Sequence, residues 1–228
     1  MELTDRTLLR LHVEAVWNVR LPASVLDDVE LLPDGSQPSW NLCAAEQASD
    51  RVYIWRPDVT PMEREALRLR ISDALAFPPV GATLPGVHRE VALSLVGSPR
   101  LDEATACSIA RPLTEQDRAL VEAFDPDALD YYFRPERQPL IGVVISGQLL
   151  SLAHSSRRTP EACELGINTL PEARQKGYGL AATIVWTQAI LQERLVPIYS
   201  ADAFNTASLR LADAAGYRTF ARLATFER

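Results

Sequence analysis

The stretch Leu170-Pro171-Glu172-Ala173-Arg174-Gln175-Lys176-Gly177-Tyr178-Gly179-Leu180-Ala181-Ala182 decides how the last third of this sequence folds. Residues 163–169 before it are typical of a strand, and the long apolar run 179–195 is typical of a helix. The first N–H groups of a helix have no partner inside the helix, and the helix dipole favours negative charge there. The two glycines let a bulky group approach the backbone, and the polar residues before them supply donors and positive charge. The stretch therefore predicts a site for phosphate or pyrophosphate.

The pattern Arg174-x-x-Gly177-x-Gly179, preceded by a strand and by Leu170-Pro171-Glu172, resembles the acetyl-CoA-binding motif of the GNAT superfamily of N-acyltransferases. A second segment, Asn205-Thr206-Ala207-Ser208 followed by Gly216-Tyr217, resembles a later motif of that superfamily. Two motifs in the family's order, with a helix and a strand between them, are far more specific than the short glycine pattern alone. The resemblance covers residues 101–228.

Two other interpretations of the glycine pattern stay open. It also satisfies a relaxed dinucleotide-binding fingerprint, which would make the protein a dinucleotide-dependent oxidoreductase. That fingerprint expects a strand that ends at the first glycine, whereas residues 172–176 intervene here. It also expects an acidic residue after a second parallel strand, and Glu193 lies inside the predicted helix instead. The third interpretation is an ordinary loop before a helix.

Composition limits the class of protein. At 228 residues the chain is long enough for one large domain or two small ones, and its 47% hydrophobic and 23% charged residues are typical of a globular protein. A net charge of −7 argues against nucleic acid or an anionic membrane as partner, and it permits a cationic amine as substrate.

The three widely spaced cysteines predict reduced thiols and no metal site. No run resembles a signal peptide or a membrane span, so we expect a cytoplasmic protein. Whether it forms a homodimer is left open.

The region 1–100 lies outside the resemblance and is predicted to be an additional N-terminal α/β region. Apolar spacing predicts a helix over residues 4–19, and Thr60-Pro61-Met62-Glu63 has the capping signals of a helix start. Residues 52–55 and 87–96 are typical of strands. We place a domain boundary near residue 100, where glycine and proline are frequent, and expect the first region to cover or shape the acceptor side of the second.

The resemblance implies that residues 101–228 form an α/β (α+β) domain with the mixed central sheet of GNAT proteins, flanked by helices. The expected order begins with a strand over residues 105–111. A capping box at Thr114 then starts a helix, and a short second helix covers residues 127–133. Two strands joined by a tight turn at Ser146-Gly147 follow. The strand before the glycines, the long helix, a strand at 197–202, a helix at 205–215 and a closing strand at 217–226 complete the domain.

The resemblance also assigns acetyl-CoA as cosubstrate. It implies that the backbone of residues 167–169 binds the pantetheine arm as an added strand would, that residues 174–179 bind the pyrophosphate, and that Asn205 contacts the CoA arm with Ser208 one turn beyond. Asn205 is equally well explained as a helix N-cap. The residues assigned to the cofactor are Ile167, Asn168, Thr169, Arg174, Gln175, Lys176, Gly177, Tyr178, Gly179, Asn205 and Ser208.

Acyl transfer to an amine requires a neutral nucleophile, and an alkylamine is mostly protonated at neutral pH, so a base is expected. Glu164 is the first candidate, because it lies near the position of a catalytic glutamate in relatives; a solvated strand carboxylate is the alternative. His154 on the neighbouring predicted strand is the second candidate, and a hydrogen-bonded structural histidine is the alternative there. Tyr131, Tyr132 and Phe133 fall where relatives bind the acceptor, and core packing explains them as well.

One position departs from the family pattern. Relatives often carry a tyrosine, seven residues after the position of Asn205, that protonates the departing CoA thiolate, and Ala212 stands there in this chain. Tyr199 on the preceding strand is the candidate replacement. The sequence therefore predicts an N-acetyltransferase that acts by direct transfer in a ternary complex with a small-molecule or peptide amine. The alternative is a catalytically silent acyl-CoA-binding or sensing protein.

Overall fold

The computed structural model describes residues 3–48, 50–76 and 84–228. The chain divides into two compact units that do not follow the order of the chain. The first unit contains Met1–Ser94, Ser200–Leu209 and Thr219–Arg228, and the second contains Leu95–Tyr199 and Arg210–Arg218. From the sequence we expect a domain boundary near residue 100, with the residues before it forming a region of their own. This stays a prediction.

The first unit is built on strands that carry helices on both faces. Its elements are α1 (Asp5–Trp17), β1 (Asp28–Glu30), β2 (Trp40–Glu46), β3 (Arg51–Trp55), α2 (Pro61–Arg68), α3 (Ile71–Leu75), β4 (Val87–Leu95) and most of the final strand, β10 (Tyr217–Glu227). Their order in the sheet is β1, β3, β2, β10, β4. Strand β2 is antiparallel to both β3 and β10, and β1 is parallel to β3.

Alternate residues of β2 belong to two hydrophobic clusters. Trp40 and Cys43 pack with α1 residues such as Leu9, whereas Leu42 packs with Ile71 of α3. A strand that is buried on both faces has no polar alternation, and for that reason the sequence did not reveal β2. The very short β1 was missed as well.

Helix-start signals were predicted correctly. Thr60 accepts a hydrogen bond from the backbone N–H of Glu63, and the Glu63 side chain accepts one from the backbone N–H of Thr60. Thr114 and Asp117 form the second predicted capping box. In the first helix, Thr4 is the N-cap. Thr4 and Thr60 satisfy backbone N–H groups that the helix itself leaves without partners, which sets where each helix begins. Thr114 instead caps a short 3-10 turn, residues 115–117, that leads into the helix starting at Arg118.

The second unit contains a sheet in the order β9, β8, β7, β6, β5. Its elements are α4 (Glu103–Ile109), β5 (Arg111–Pro112), α5 (Arg118–Phe124), α6 (Leu129–Tyr132), β6 (Ile141–Ile145), β7 (Gln148–Arg158), β8 (Ala162–Thr169), α7 (Tyr178–Gln192), β9 (Val196–Asp202) and α8 (Thr206–Ala214). The last residues of β9 and the first residues of α8 belong to the first unit. Strands β5 to β8 are antiparallel neighbours, and β9 is parallel to β8. The predicted α/β (α+β) class, with mixed sheets flanked by helices, is confirmed.

The prediction of a strand over residues 105–111 is wrong, because α4 occupies Glu103–Ile109. Asp102 caps this helix: its Oδ1 accepts a hydrogen bond of 2.9 Å from the backbone N–H of Thr105. Ala106 is fully buried on the inner side of the helix. Only Arg111 and Pro112 pair as a strand, with β6. The family order suggested a strand here, and the capping aspartate, a local signal for a helix, was overlooked.

The predicted hairpin turn is confirmed. Ser146 has a φ of 51° and Gly147 a φ of 80°, so both central residues adopt the left-handed conformation that a two-residue turn between antiparallel strands requires. Strands β6 and β7 pair on either side of this turn. The turn fixes the register of β7, and β7 in turn pairs with β8, the strand that leads to the glycines.

Candidate active site

Strand β8 has two halves that differ in pairing. In the first, Ala162–Glu164, Cys163 pairs with Arg158 of β7 and Pro197 of β9, and Glu164 pairs with Arg157 and Ile198. In the second, residues 165–169, pairing with β7 continues as far as Thr169. Within the described part of the chain, pairing with β9 ends at Glu164. We call residues 162–164 the closed half and residues 165–169 the open half.

Among the residues that the structure describes, the backbone of the open half pairs with β7 on one side and has no register with β9 on the other. An unpaired strand edge presents N–H and C=O groups that a ligand in extended conformation can bind. Burial changes one residue later: the first four residues of β8 are buried, and the last four are half-buried or exposed. In the described residues, β8 therefore stops pairing with its parallel neighbour β9 after Glu164.

Residues 174–179 follow the open half and form what we call the glycine loop. Gln175 and Gly177 have positive φ angles of 60° and 82°. Helix α7 starts at Tyr178, and its first hydrogen bond runs from the Ala181 N–H to the Gly177 carbonyl over 3.0 Å. The N–H groups before Ala181 therefore precede the helical ladder, as expected at a helix N-terminus. Residues 174–177 are exposed, so the loop is accessible to an anion.

Side chains at the end of β8 tie the glycine loop to the strand. Thr169 Oγ1 lies 2.8 Å from Ser151 Oγ, and the Thr169 carbonyl accepts a hydrogen bond of 3.4 Å from Arg174 Nε. A Cβ on Gly179 would lie only 3.2 Å from Thr169 Oγ1. The first turn of α7 therefore lies close to the strand, and a Cβ here would be in tight contact with Thr169.

Glu164, the first candidate base, is the last residue of the closed half and is 3% exposed. Its Oε2 accepts hydrogen bonds from Ser156 Oγ at 2.8 Å and Arg157 Nη1 at 2.7 Å. The predicted alternative of a solvated carboxylate is therefore wrong, because burial and two donors surround this group.

His154, the second candidate, pairs with Gly166 in the open half and is 5% exposed. Its Nε2 lies 3.2 Å from the Tyr131 hydroxyl, and both Tyr131 and Tyr132 pack edge-on against its ring. Burial, assisted by the positive charge of Arg137, lowers the pKa of His154 to about 4. At neutral pH the imidazole is therefore uncharged.

Gly166 has no side chain because the imidazole occupies that space. A Cβ on Gly166 would lie 2.2 Å from His154 Cε1, far inside van der Waals contact. This contact could not be predicted from the sequence, because it depends on the register of β7 against β8. It explains why a glycine interrupts an otherwise regular strand.

A hydrogen-bonded chain that the sequence analysis missed lies on the same side of the open half. Asn168 Nδ2 donates to the Tyr132 hydroxyl over 3.2 Å, and this hydroxyl donates to Asp125 Oδ2 over 3.0 Å. Burial raises the pKa of Tyr132 to about 12, so it remains a donor at neutral pH. Tyr132 belongs to a hydrophobic cluster, so the core-packing interpretation holds for this residue, while its hydroxyl positions Asn168.

The remaining sites predicted from the sequence lie apart from this group in the chain. Asn205 is the N-cap of α8, because its Oδ1 accepts from the Ser208 N–H over 3.0 Å. Tyr199 is 2% exposed and packs against Tyr217 with ring centroids 5.4 Å apart. Ala212 is fully buried.

The second motif includes one glycine whose role is structural. Gly216 has a φ of 92°, and a Cβ there would lie 2.4 Å from the Gly97 carbonyl oxygen. Next to it, the Tyr217 hydroxyl lies 2.8 Å from Thr187 Oγ1, and burial raises the pKa of Tyr217. Gly216 therefore shapes the turn before β10, and the contact between Tyr217 and Thr187 links the first residue of β10 to α7.

Glu193, the acidic residue that the dinucleotide interpretation needs, ends α7 and forms an ion pair with Arg158. It does not follow a strand. Among residues 3–48, 50–76 and 84–228, no three His, Cys, Asp or Glu side chains are grouped as metal ligands. No helix in these ranges is long and apolar enough to span a bilayer.

Comparisons with known proteins point to one family. A family model described as GNAT acetyltransferase matches residues 133–226. A GNAT acetyltransferase from Colwellia psychrerythraea shares the fold with a TM-score of 0.53 at 15% identity, covering 77% of this chain and 75% of that one. A GCN5-related N-acetyltransferase from Sphaerobacter thermophilus has a TM-score of 0.51 at 15% identity, covering 84% and 61%. No curated protein is similar enough in sequence to count as a match.

At such identities the two structures show a common fold and nothing finer, whereas the family model matches the sequence itself. It covers the hairpin, both halves of β8, the glycine loop and the second motif. An acetyl-transfer role is what this family and fold support. The resemblance to the GNAT acetyltransferases is confirmed, and residues 133–226 are the part of the chain that carries it.

Proposed function

We propose that the protein is an N-acetyltransferase that moves an acetyl group from acetyl-CoA to a primary amine within a ternary complex. The single observation that carries this proposal is the open half of β8 leading directly into the exposed glycine loop. An extended pantetheine arm needs a free strand edge, and a pyrophosphate needs backbone N–H groups at a helix N-terminus. Both lie here in one continuous segment.

Each part of acetyl-CoA has a proposed partner. The pyrophosphate binds the N–H groups of the glycine loop, with Arg174 and Lys176 supplying positive charge. The pantetheine arm lies along Ile167, Asn168 and Thr169. An N–H group of the open half donates to the thioester carbonyl, where negative charge develops during attack.

The reaction needs a proton acceptor on the amine side. The amine nitrogen attacks the acetyl carbon, the carbon–sulfur bond breaks, and the proton lost by nitrogen passes to a base. Glu164 and His154 are the proposed candidates. A histidine whose pKa is lowered to about 4 is a weak base, so His154 fits better as an acceptor that orients the Tyr131 hydroxyl, and Glu164 as the proton acceptor.

The departing CoA thiolate needs a proton, and Ala212 cannot supply one. Tyr199 is the proposed acid, with solvent as the alternative source. If Tyr199 has this role, Tyr199→Phe lowers kcat and leaves the affinity for acetyl-CoA unchanged. An unchanged kcat in an active preparation would exclude it.

The proposal is tested by incubating the purified chain with acetyl-CoA and a panel of small-molecule and peptide amines. We expect free CoA thiol to appear together with an amine product heavier by one acetyl group, both measured in the same reaction. Glu164→Gln should abolish transfer while acetyl-CoA still raises the melting temperature. Absence of stabilisation by CoA in the wild type would contradict the proposal at its first step.

The second candidate is a silent acyl-CoA-binding protein, and the buried Ala212 at the position of the usual acid favours it. It predicts stabilisation by CoA without thiol release for any amine of the panel. Ala212→Tyr then offers a sharper readout: a gain of thiol release would identify the missing acid as the cause of silence.

A further inference from the structure

Two arginines of the first unit, Arg56 and Arg89, are buried to the same extent but differ in their partners. Each is 6% exposed. Arg56 forms a two-pronged ion pair with Asp58, through Nε at 2.6 Å and Nη2 at 2.8 Å, and its Nη1 donates to the Pro38 carbonyl. This is the arrangement that a buried guanidinium needs, because its charge and its donors are both satisfied.

Arg89 has no such arrangement in the part of the chain that the structure describes. Its Nη2 donates to the Asp73 carbonyl over 2.9 Å, and its guanidinium carbon lies 5.9 Å from the centroid of the Phe204 ring. Its Nε and Nη1 are buried without a hydrogen-bond partner. The segment 77–83, which lies outside the described residues, contains no acidic residue in its sequence. A buried charge without a counter-charge is strongly unfavourable, so a ligand group of opposite charge would stabilise Arg89.

Arg89 lines a cavity of about 230 Å³ on the first unit. Phe204, His88, Asp202 and Glu227 line the same cavity. Asp202 Oδ2 lies 3.8 Å from His88 Nδ1, and Glu227 is exposed. The cavity therefore combines a buried guanidinium with two accessible carboxylates, which is a mixed arrangement of charge.

We propose that this cavity binds a small zwitterion of the amino-acid class. The ligand's carboxylate meets the Arg89 guanidinium, and its ammonium group meets Asp202 and Glu227. A ligand with several negative charges and no positive one, such as phosphate, would be repelled by these two carboxylates. Arg89 Nε and Nη1 are covered by protein, so the guanidinium rotates toward the cavity when the ligand enters. The cavity is lined by residues other than those to which we assign acetyl-CoA.

The competing explanation is a single water molecule. A second cavity of about 10 Å³, lined by Arg89, Glu90 and Arg222 among others, has about the volume that one water occupies. Such a water would satisfy an N–H group but would not neutralise the guanidinium charge. The two explanations therefore differ in whether any solute binds.

The first experiment measures binding of each standard L-amino acid to the full chain by calorimetry and by thermal shift. For the tightest binder, the analogue without the amino group and the analogue without the carboxylate are measured next. We expect the loss of either group to weaken binding about tenfold or more, since each removes a charge-assisted contact. If no amino acid binds, or if both analogues bind as well as the parent, the proposal is overturned.

The second experiment uses Arg89→Met, with Arg56→Met as the matched control. We expect Arg89→Met to abolish amino-acid binding and to leave the melting temperature without ligand unchanged or higher, because an unpaired buried charge is removed. Arg56→Met should lower the melting temperature, because a complete ion pair is broken. The surface variant Glu227→Gln should weaken binding of the amino acid but not binding of its analogue without the amino group. Full amino-acid binding by Arg89→Met would contradict the proposal, and stabilisation of each variant by CoA reports separately on the acetyl-CoA site.

Discussion

The two halves of β8 lie on one continuous strand, but they differ in what surrounds their backbone. The closed half has strand partners on both sides, and its Glu164 is held by Ser156 and Arg157. The open half has β7 on one side, and in the described residues no register with β9 on the other. Its Gly166 lies against the ring of His154 instead of carrying a side chain.

This difference separates stability from function along a single element. Backbone groups that are paired on both sides contribute to folding and are unavailable to a ligand. Where the second partner diverges, the same groups become a recognition surface, and the residues around them must keep that surface in shape without covering it. His154, Gly166 and the glycine loop have this supporting role in the open half, and the predictions below test it.

The largest expected effect is a loss of stability in acid that originates at His154. Burial lowers the pKa of His154 from 6.5 to about 4, so between these values the unfolded chain binds a proton that the folded protein does not. The free energy of unfolding therefore falls as the pH drops from 6.5 to about 4, by up to about 3 kcal/mol, and this group adds no pH dependence above that window. Urea unfolding at several pH values, with His154→Phe for comparison, measures it. Parallel curves for the two proteins would show that the open half does not hold a buried neutral histidine.

The second effect compares one methyl group in each half. Gly166→Ala in the open half places a Cβ 2.2 Å from His154 Cε1, and overpacking of this kind costs about 2–3 kcal/mol. The matched change in the closed half, Ala162→Gly, removes a fully buried methyl and costs about 1 kcal/mol. Chemical unfolding gives both values. Equal costs would mean that the imidazole moves aside easily, and the supporting role assigned to His154 would then be lost.

The open half and the glycine loop show how far the sequence alone reaches. The strand, the loop and α7 were predicted from local signals. The loop has the glycines and the polar run, and α7 has the long apolar stretch. That residues 167–169 offer their backbone to a ligand was expected only from the family resemblance, since the residues of the open half do not encode where a neighbour diverges. The contact between His154 and Gly166 depends on cross-strand register, and the Asp125–Tyr132–Asn168 chain joins three elements, so neither leaves a pattern in the sequence. Helix α4, by contrast, had its signal in Asp102, which an expectation from the family order overrode.

The third effect concerns the charge beside the open half. Arg174→Ala and Lys176→Ala should each weaken CoA binding about tenfold, because each removes a charge-assisted contact with the pyrophosphate. The loss should shrink as salt is added, since both side chains are exposed. Calorimetry at two ionic strengths measures this, and Arg20→Ala, an exposed arginine of the first unit, serves as the control. An equal loss in Arg20→Ala would mean that net charge, and not the loop, attracts CoA.

The smallest effect separates two glycines that share one loop. Gly177→Ala must hold a positive φ of 82°, which costs about 1 kcal/mol of folding stability, although a Cβ there meets no other atom within 4 Å. Gly179 lies inside α7, where alanine is favoured over glycine by about 1 kcal/mol, and this gain offsets the contact of 3.2 Å with Thr169 Oγ1. We therefore expect Gly177→Ala to lower the free energy of unfolding and Gly179→Ala to leave it nearly unchanged. Gly179→Ala should instead weaken the binding of CoA, because the new methyl occupies the approach to the open half. Unfolding curves and CoA titrations of both variants decide the matter. If Gly179→Ala binds CoA as the wild type does, then the first turn of α7 is close to Thr169 for packing alone, and the ligand approaches the loop from another side.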